Sequence, residues 1–290
     1  MDVMITKADG HTFSLDSIGV VARDFNVASI PIEANYGNAE GRHGTIDYGA
    51  TYGTRTISVP FYFKARDTLD YPLLRDELFG MVSDTQPFYI RELRRVTYQT
   101  GDNVLVGGKR YLVRLRNEIN LDQTLDYGFG ELTYETVGLP FAESVGTTQD
   151  IERDGINADK ALWGYGMGLI ADDESLRYTH TTKTFRIFNA GNVAVHPFEQ
   201  DLKITINNVV GSTSFVELRN ETNGTVFRVN EAVTSSQTVL LDGPNITING
   251  LQALRRTNRK YIELSPGWNS FRLTGVTSAR ISVDARMYYL

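Results

Sequence analysis

The stretch Glu40–Phe63, EGRHGTIDYGATYGTRTISVPFYF, decides the reading of this chain. Its second half alternates strictly: Ile57, Val59, Phe61 and Phe63 recur at every other position. That is the period of a β-strand with one buried face. Its first half is punctuated by glycine; Gly41, Gly44, Gly49 and Gly53, with Gly37 just upstream, surround widely spaced cationic and aromatic residues. Glycine supplies backbone conformations that a Cβ strains. Such a loop suits a chain that wraps a neighbour or a rim. It is not a phosphate cradle, because no Gly-Lys-Ser/Thr follows and no helix opens behind it.

Working outward, the same period of two dominates the chain. Leu202, Ile204 and Ile206 alternate with polar residues, as do Ile281, Val283, Ala285, Met287 and Tyr289. Asn223-Gly224 and Asn249-Gly250 are type I′ hairpin centres by composition, and Asp9-Gly10, Asp154-Gly155 and Asp242-Gly243 add turn candidates. Strands are expected near 88–93, 96–99, 111–117 and 128–137, with Gly107-Gly108 turning a hairpin. One segment breaks the pattern. In DTLDYPLLRDELFGMV (67–82), Leu74, Leu78, Phe79 and Val82 fall at helical spacing, with Asp70 as cap and Pro72 in the first turn. It predicts one amphipathic helix covering a sheet. The fold class is therefore mainly β: an α+β domain over 1–143, an extended connector over 144–182 carrying the aromatic patch Leu162–Gly166, and an all-β sandwich over 183–290.

Composition narrows the chemistry. With 290 residues the chain can bury two cores. It contains no cysteine, which removes disulfides, thiolate metal sites and cysteine nucleophiles together. The formal charge of −6 argues against a sequence-independent grip on DNA, which needs a cationic footprint. It still fits a protein past which DNA slides. No apolar run is long enough to span a bilayer, and the N-terminus shows no secretory signal. His11, His43, His180 and His196 lack metal-ligand spacing, Asp172-Asp173-Glu174 reads as a solvated loop, and no nucleophile elbow is present. The expectation is no enzyme, no metal and no cofactor. Trp268 and Tyr261 are the residues from which a sugar platform could be built, against the plainer reading that they pack locally.

With those residues in view, the chain resembles the siphophage distal tail protein (Dit) family. In the first half the resemblance rests on GRHGTIDYGATYGTRTISVPFYF, the helix 71–82 and the strand 109–116. In the second half it rests on IFNAGNVAVHPFEQDLKITI (187–206), ELRNETNGTVFRV (217–229), TVLLDG (238–243) and LSPGWNSFRLTG (264–275). The resemblance implies an N-terminal ring-forming domain followed by a galectin-like β-sandwich. It also implies a homohexameric ring at the tip of a long non-contractile tail, a virion component assembled in the host cytoplasm. The ring would join the major tail or tube protein to hub, fibre or receptor-binding proteins and leave a central channel for DNA. Arg42, His43, Tyr48, Tyr52 and Arg55 are the candidate ring or tube contacts. The loop Gly37–Gly53 and the hairpin Asn103–Arg110 are the candidates for exchange between neighbours. The alternative is a carbohydrate-binding module for host surface glycans.

Overall fold

The computed structural model of the protein describes residues 1–95, 105–156, 161–171 and 173–290. The chain divides into two compact units, Met1–Ala142 and Glu143–Tyr289, with Leu290 grouped with the first. The first unit contains β1 (Asp2–Thr6), β2 (Thr12–Ser14), β3 (Val20–Ala22), β4 (Asn26–Val27), β5 (Ile32–Gly37), β6 (Ile46–Tyr52), β7 (Thr56–Lys64), helix α1 (Tyr71–Val82), β8 (Phe88–Arg95), β9 (Leu105–Val106), β10 (Lys109–Leu115), β11 (Asp122–Thr124) and β12 (Tyr127–Thr136). A short strand β13 (Ala142–Ser144) marks the boundary. The second unit contains helix α2 (Thr148–Asp154), β14 (Thr179–His180), β15 (Thr184–Asn189), β16 (Leu202–Val210), β17 (Val216–Asn220), β18 (Val226–Val229), β19 (Val239–Asp242), β20 (Asn245–Ile248), β21 (Leu251–Gln252), β22 (Gly267–Thr274), β23 (Ser278–Ala285) and β24 (Tyr288–Tyr289).

The core of the first unit grows from β7. Its strands follow the order β2-β1-β8-β10-β12-β7-β3, all antiparallel. Ile57, Val59, Phe61 and Phe63 are buried, as the alternation requires, and join Val3, Ile5, Phe88, Ile90, Val113, Leu132 and Tyr134 in one cluster. On β12, Gly128 and Gly130 stand directly opposite Phe63 and Phe61. A Cβ at either glycine would run into the facing ring, so the glycines give the two rings their space. Helix α1 closes the cluster with Tyr71, Leu78 and Val82 buried and Leu74 and Phe79 partly so. Its start differs from the expectation. Asp70 makes no cap hydrogen bond; Asp67 instead accepts from the Leu69 and Asp70 amides at 2.8 and 2.9 Å. The carboxylate that organises the entry turn thus lies three residues earlier than the sequence suggested.

Gly107-Gly108 also differs. Both β9 and β10 pair antiparallel with β8, with Val106 opposite Arg94 and Tyr111 opposite Ile90. The pair is therefore a one-residue irregularity within a continuing strand, and not a hairpin turn. At Gly107 a Cβ would strike the Glu92 carbonyl oxygen, so only glycine lets the strand cross there. The expected strand 96–99 lies outside the described residues, as does the start of the Asn103–Arg110 hairpin.

In the second unit two antiparallel sheets form a sandwich, ordered β14-β23-β16-β19-β20-β21 and β15-β22-β17-β18. Ile204, Ile206, Val239, Leu241, Ile281 and Val283 are buried from the first sheet, and Phe185, Ile187, Leu218, Phe227, Phe271 and Leu273 from the second. Asn249 and Gly250 both take positive φ between β20 and β21, as a type I′ turn needs. At Asn223-Gly224 only Gly224 does, because a longer loop closes there with the Asn223 carboxamide accepting from the Thr225 amide. Helix α2 lies in the stretch read as an extended connector. A capping box of Thr147 and Asp150 starts it, and the Thr148 hydroxyl donates to the Val283 carbonyl at 2.9 Å. At seven residues it is too short to show a helical period, although Thr-x-x-Asp was a readable start signal. Trp163, from the expected aromatic patch, is buried with its indole against Gly146.

Candidate functional site

The strands β5 and β6 form a two-stranded sheet of their own. Nearly every residue in them is exposed, with Ile32 at 69%, Tyr36 at 63% and Tyr48 at 68%. In register, Ile32 faces Tyr52 and Ala34 faces Ala50, so these four share one face. A bulge follows between Ala34 and Tyr36. Beyond it the Tyr48 ring lies over Gly37, in the space a Cβ would need. The base is anchored where Tyr52 meets Phe141 edge-on at 5.7 Å and the Gly53 amide donates to the Pro31 carbonyl at 2.8 Å.

The expected contact residues divide here. Arg42 and His43 lie exposed in the loop joining the strands, and Tyr48 and Tyr52 lie on β6. Arg55 leaves the surface. It is 5% exposed, its guanidinium lies 5.9 Å from the Tyr111 ring centroid, and its amide donates to the Thr136 hydroxyl at 2.9 Å. Burial, and then the Arg55 charge, lowers the Lys109 ammonium below its ordinary range. Burial likewise raises the Tyr111 phenol, which the Arg55 charge partly offsets. Arg55 is a core cation of the first unit, and the choice of it as a surface contact is corrected. Alternation placed it one residue before β7, with nothing in the sequence to show the chain turning inward there.

A second surface was missed. Tyr62, Tyr127 and Phe129 make a ring cluster on the outer side of β7 and β12, with centroids 6.1–6.5 Å apart. Val21 on β3 pairs with Tyr62 and is itself 39% exposed, and the Lys64 ammonium lies 5.2 Å from the Tyr127 centroid. These are the outward positions of the same alternating strands, so the period of two that marks the core also marks this face.

In the second unit, Trp268 packs against Phe188 at 4.9 Å, and the Arg186 guanidinium lies 4.7 Å from its ring centroid. It offers no bare platform. The Tyr261 hydroxyl donates to the Pro244 carbonyl at 3.0 Å, and its ring meets Phe198 edge-on at 4.6 Å. Phe198, 55% exposed, is one open aromatic of this unit, with Tyr165 at 76%, and Phe198 was not singled out in the sequence. Among the described residues no group of three or more histidine, aspartate or glutamate side chains is arranged to hold a metal, and no helix is long and apolar enough to cross a membrane.

Comparison with known proteins agrees with this architecture. Residues 8–136 match the family described as the phage tail protein RIFT-related domain. No curated protein sequence matches. Among solved structures, the SPP1 Dit (gp 19.1) protein, described as a paradigm of hub adsorption apparatus in phages infecting Gram-positive hosts, aligns with a TM-score of 0.64 at 12% identity, over 100% of this chain and 99% of that one. Chains from the phage p2 baseplate in its activated conformation, with Sr and with Ca, align at 10% identity over 98% of this chain and 97% of theirs, with TM-scores of 0.40. Residues 8–136 therefore resemble the phage tail RIFT-related domain, and the chain as a whole shares the fold of the SPP1 Dit protein.

Proposed function

We propose that this protein is a structural hub of a long non-contractile phage tail tip. In this reading six copies form a ring that joins the tail tube to hub, fibre or receptor-binding proteins and leaves a channel for DNA. The observation that carries it is the exposed β5–β6 hairpin. An isolated two-stranded hairpin is marginal in water, and four large apolar side chains standing on one in solvent add no stability until they are covered. A neighbouring copy is the cover that a repeating assembly supplies. The full-length likeness to SPP1 Dit, a hub protein by its description, supports the same reading.

The acceptor we favour is the outer row of Val21, Tyr62, Tyr127 and Phe129 on the next copy. Arm on one subunit and patch on the next make a heterologous contact, and such contacts close into rings when the rotation allows. Arg42 and His43 at the arm's end are then placed to reach the neighbouring subunit or the tube. The net negative charge suits a channel that DNA must traverse without sticking.

The test is negative-stain imaging with solution mass measured on the same sample. Six-fold rings with a central opening are expected from the native protein. Replacing Tyr36 and Tyr48 by aspartate leaves monomers, and Phe129→Ser does the same if the acceptor is the patch described. Rings that survive loss of the arm aromatics would sink the interlocking contact. Rings lost with the arm but kept in Phe129→Ser would move the acceptor elsewhere.

A further inference from the structure

We propose, resting on the ring reading above, that Leu125 anchors the contact between neighbouring copies. It is a leucine held in a costly backbone conformation so that its side chain meets the arm of the next subunit. Thr124 on β11 pairs with Tyr127 on β12, so Leu125 and Asp126 alone make the turn between those strands. Leu125 takes φ +56° there, a conformation that glycine or asparagine usually supplies in a two-residue turn. A Cβ in this region crowds the following carbonyl oxygen, and a leucine side chain offers no local hydrogen bond in return. Among the described residues, five other than glycine have positive φ, and Leu125 is the large apolar one of the five.

Its own subunit gains little from this. Leu125 is 77% exposed, yet the turn that carries it is fixed on both sides. The Ala65 amide donates to the Asp126 carbonyl at 2.8 Å, and the Gln123 carboxamide donates to the Leu125 carbonyl at 3.0 Å. The Lys64 ammonium lies 3.7 Å from the Asp126 carboxylate. The turn is a tethered mount for an apolar tip. Unfavourable backbone persists where the surroundings over-determine it, and such places concentrate at binding sites.

What covers the tip follows from where it stands. Leu125 is two residues from Tyr127 and continues the row of Val21, Tyr62, Tyr127 and Phe129 past the start of β12. Without it the row crosses three neighbouring strands, about 10 Å. The seven-residue β6 of the arm spans about 23 Å. The arm is longer than the row, and Leu125 adds apolar surface of the kind that the arm's exposed Ile32, Tyr36 and Tyr48 match. Lys64 and Asp126 offset one another beside the tip, so no net charge there selects a charged partner. A second copy of this chain is the occupant with the apolar counterpart.

The experiment is a dilution series with solution mass measured at each concentration, on the native full chain, Leu125→Gly and Leu125→Met. Leu125→Gly is expected to raise the concentration at which rings dissociate by about tenfold or more. Leu125→Met keeps the apolar bulk and is expected to stay close to native. A thermal melt then separates contact from fold. In the Tyr36→Asp/Tyr48→Asp chain, monomeric on the ring reading, adding Leu125→Gly should leave the melt unchanged or raise it by up to about 4 °C. A residue that served only its own turn would not weaken assembly while sparing the fold. Native rings that dissociate no sooner with Leu125→Gly, a melt lowered by that change, or an equal loss in Leu125→Met would each overturn the proposal. A native chain that forms no rings at any concentration would remove the ring reading and the Leu125 contact together, so the two failures are told apart.

Discussion

Strands β6 and β7 are adjacent in the sequence, separated by three residues, and similarly rich in β-branched and aromatic residues. Their fates are opposite. Every second residue of β7 is buried in the core of the first unit, whereas β6 is exposed along almost its whole length. β-propensity is therefore not burial; it describes a surface that fits a pleated neighbour, whichever chain supplies that neighbour. For β7 the neighbour is β12 of the same chain, paired over nine consecutive residues. For β6, among the described residues, the pairing strand is β5 alone.

The largest expected effect attacks that contrast from the assembly side. With Tyr36 and Tyr48 both changed to aspartate, rings should fall to monomers, while urea unfolding of the monomer moves by no more than about 0.5 kcal/mol, as for surface changes elsewhere. A large loss of monomer stability would show that the arm packs within its own subunit. The reverse result is expected inside β7. Phe61→Ala should cost about 3–5 kcal/mol in the same unfolding experiment, because it empties a fully buried aromatic site. If that change proved harmless, the core assigned to this strand would be wrong.

Gly128→Val tests the other side of the same packing. The new side chain drives into the Phe63 ring, and overpacking of this kind costs about 1–3 kcal/mol. Its thermal melt should drop while any assembled ring keeps its six-fold form. Arg55→Met is subtler. Exchanging a buried cation whose Nε has no partner for an apolar chain of similar length should shift stability by about 1 kcal/mol or less, with rings retained. Monomers with an intact melt would return Arg55 to the interface. The smallest effect is at Asn249: glycine there should stabilise the second unit by a few tenths of a kcal/mol to about 1 kcal/mol, since φ is +50°, and a destabilised melt would mean its carboxamide bond to the Thr238 amide matters more than the strain.

Much of the architecture was legible because period and turn chemistry are local. The alternation of β7, the helical spacing of 71–82 and the Asn249-Gly250 turn each needed only a few neighbours to be read. Helix α2 was not, because two turns are too few to establish a period. Gly107-Gly108 was misread because a glycine pair in a hairpin and one in a bulged strand look alike until the partner strand is known. The aromatic arm residues were legible as types, yet Arg55 was wrongly grouped with them, since sequence proximity to a surface loop carries no information about which way the chain turns.

The sequence by itself determined that this is a cysteine-free, mainly β protein with one amphipathic helix and a glycine-rich approach to its strongest strand. Only the tertiary structure decided which strands were left without a cover, that Arg55 goes inward, and that Leu125 is held exposed at positive φ beside the outer aromatic row. The reason is physical. Period and propensity are properties of a few consecutive residues, whereas exposure and juxtaposition are set by partners many residues away, and these are known only once the sheets have closed.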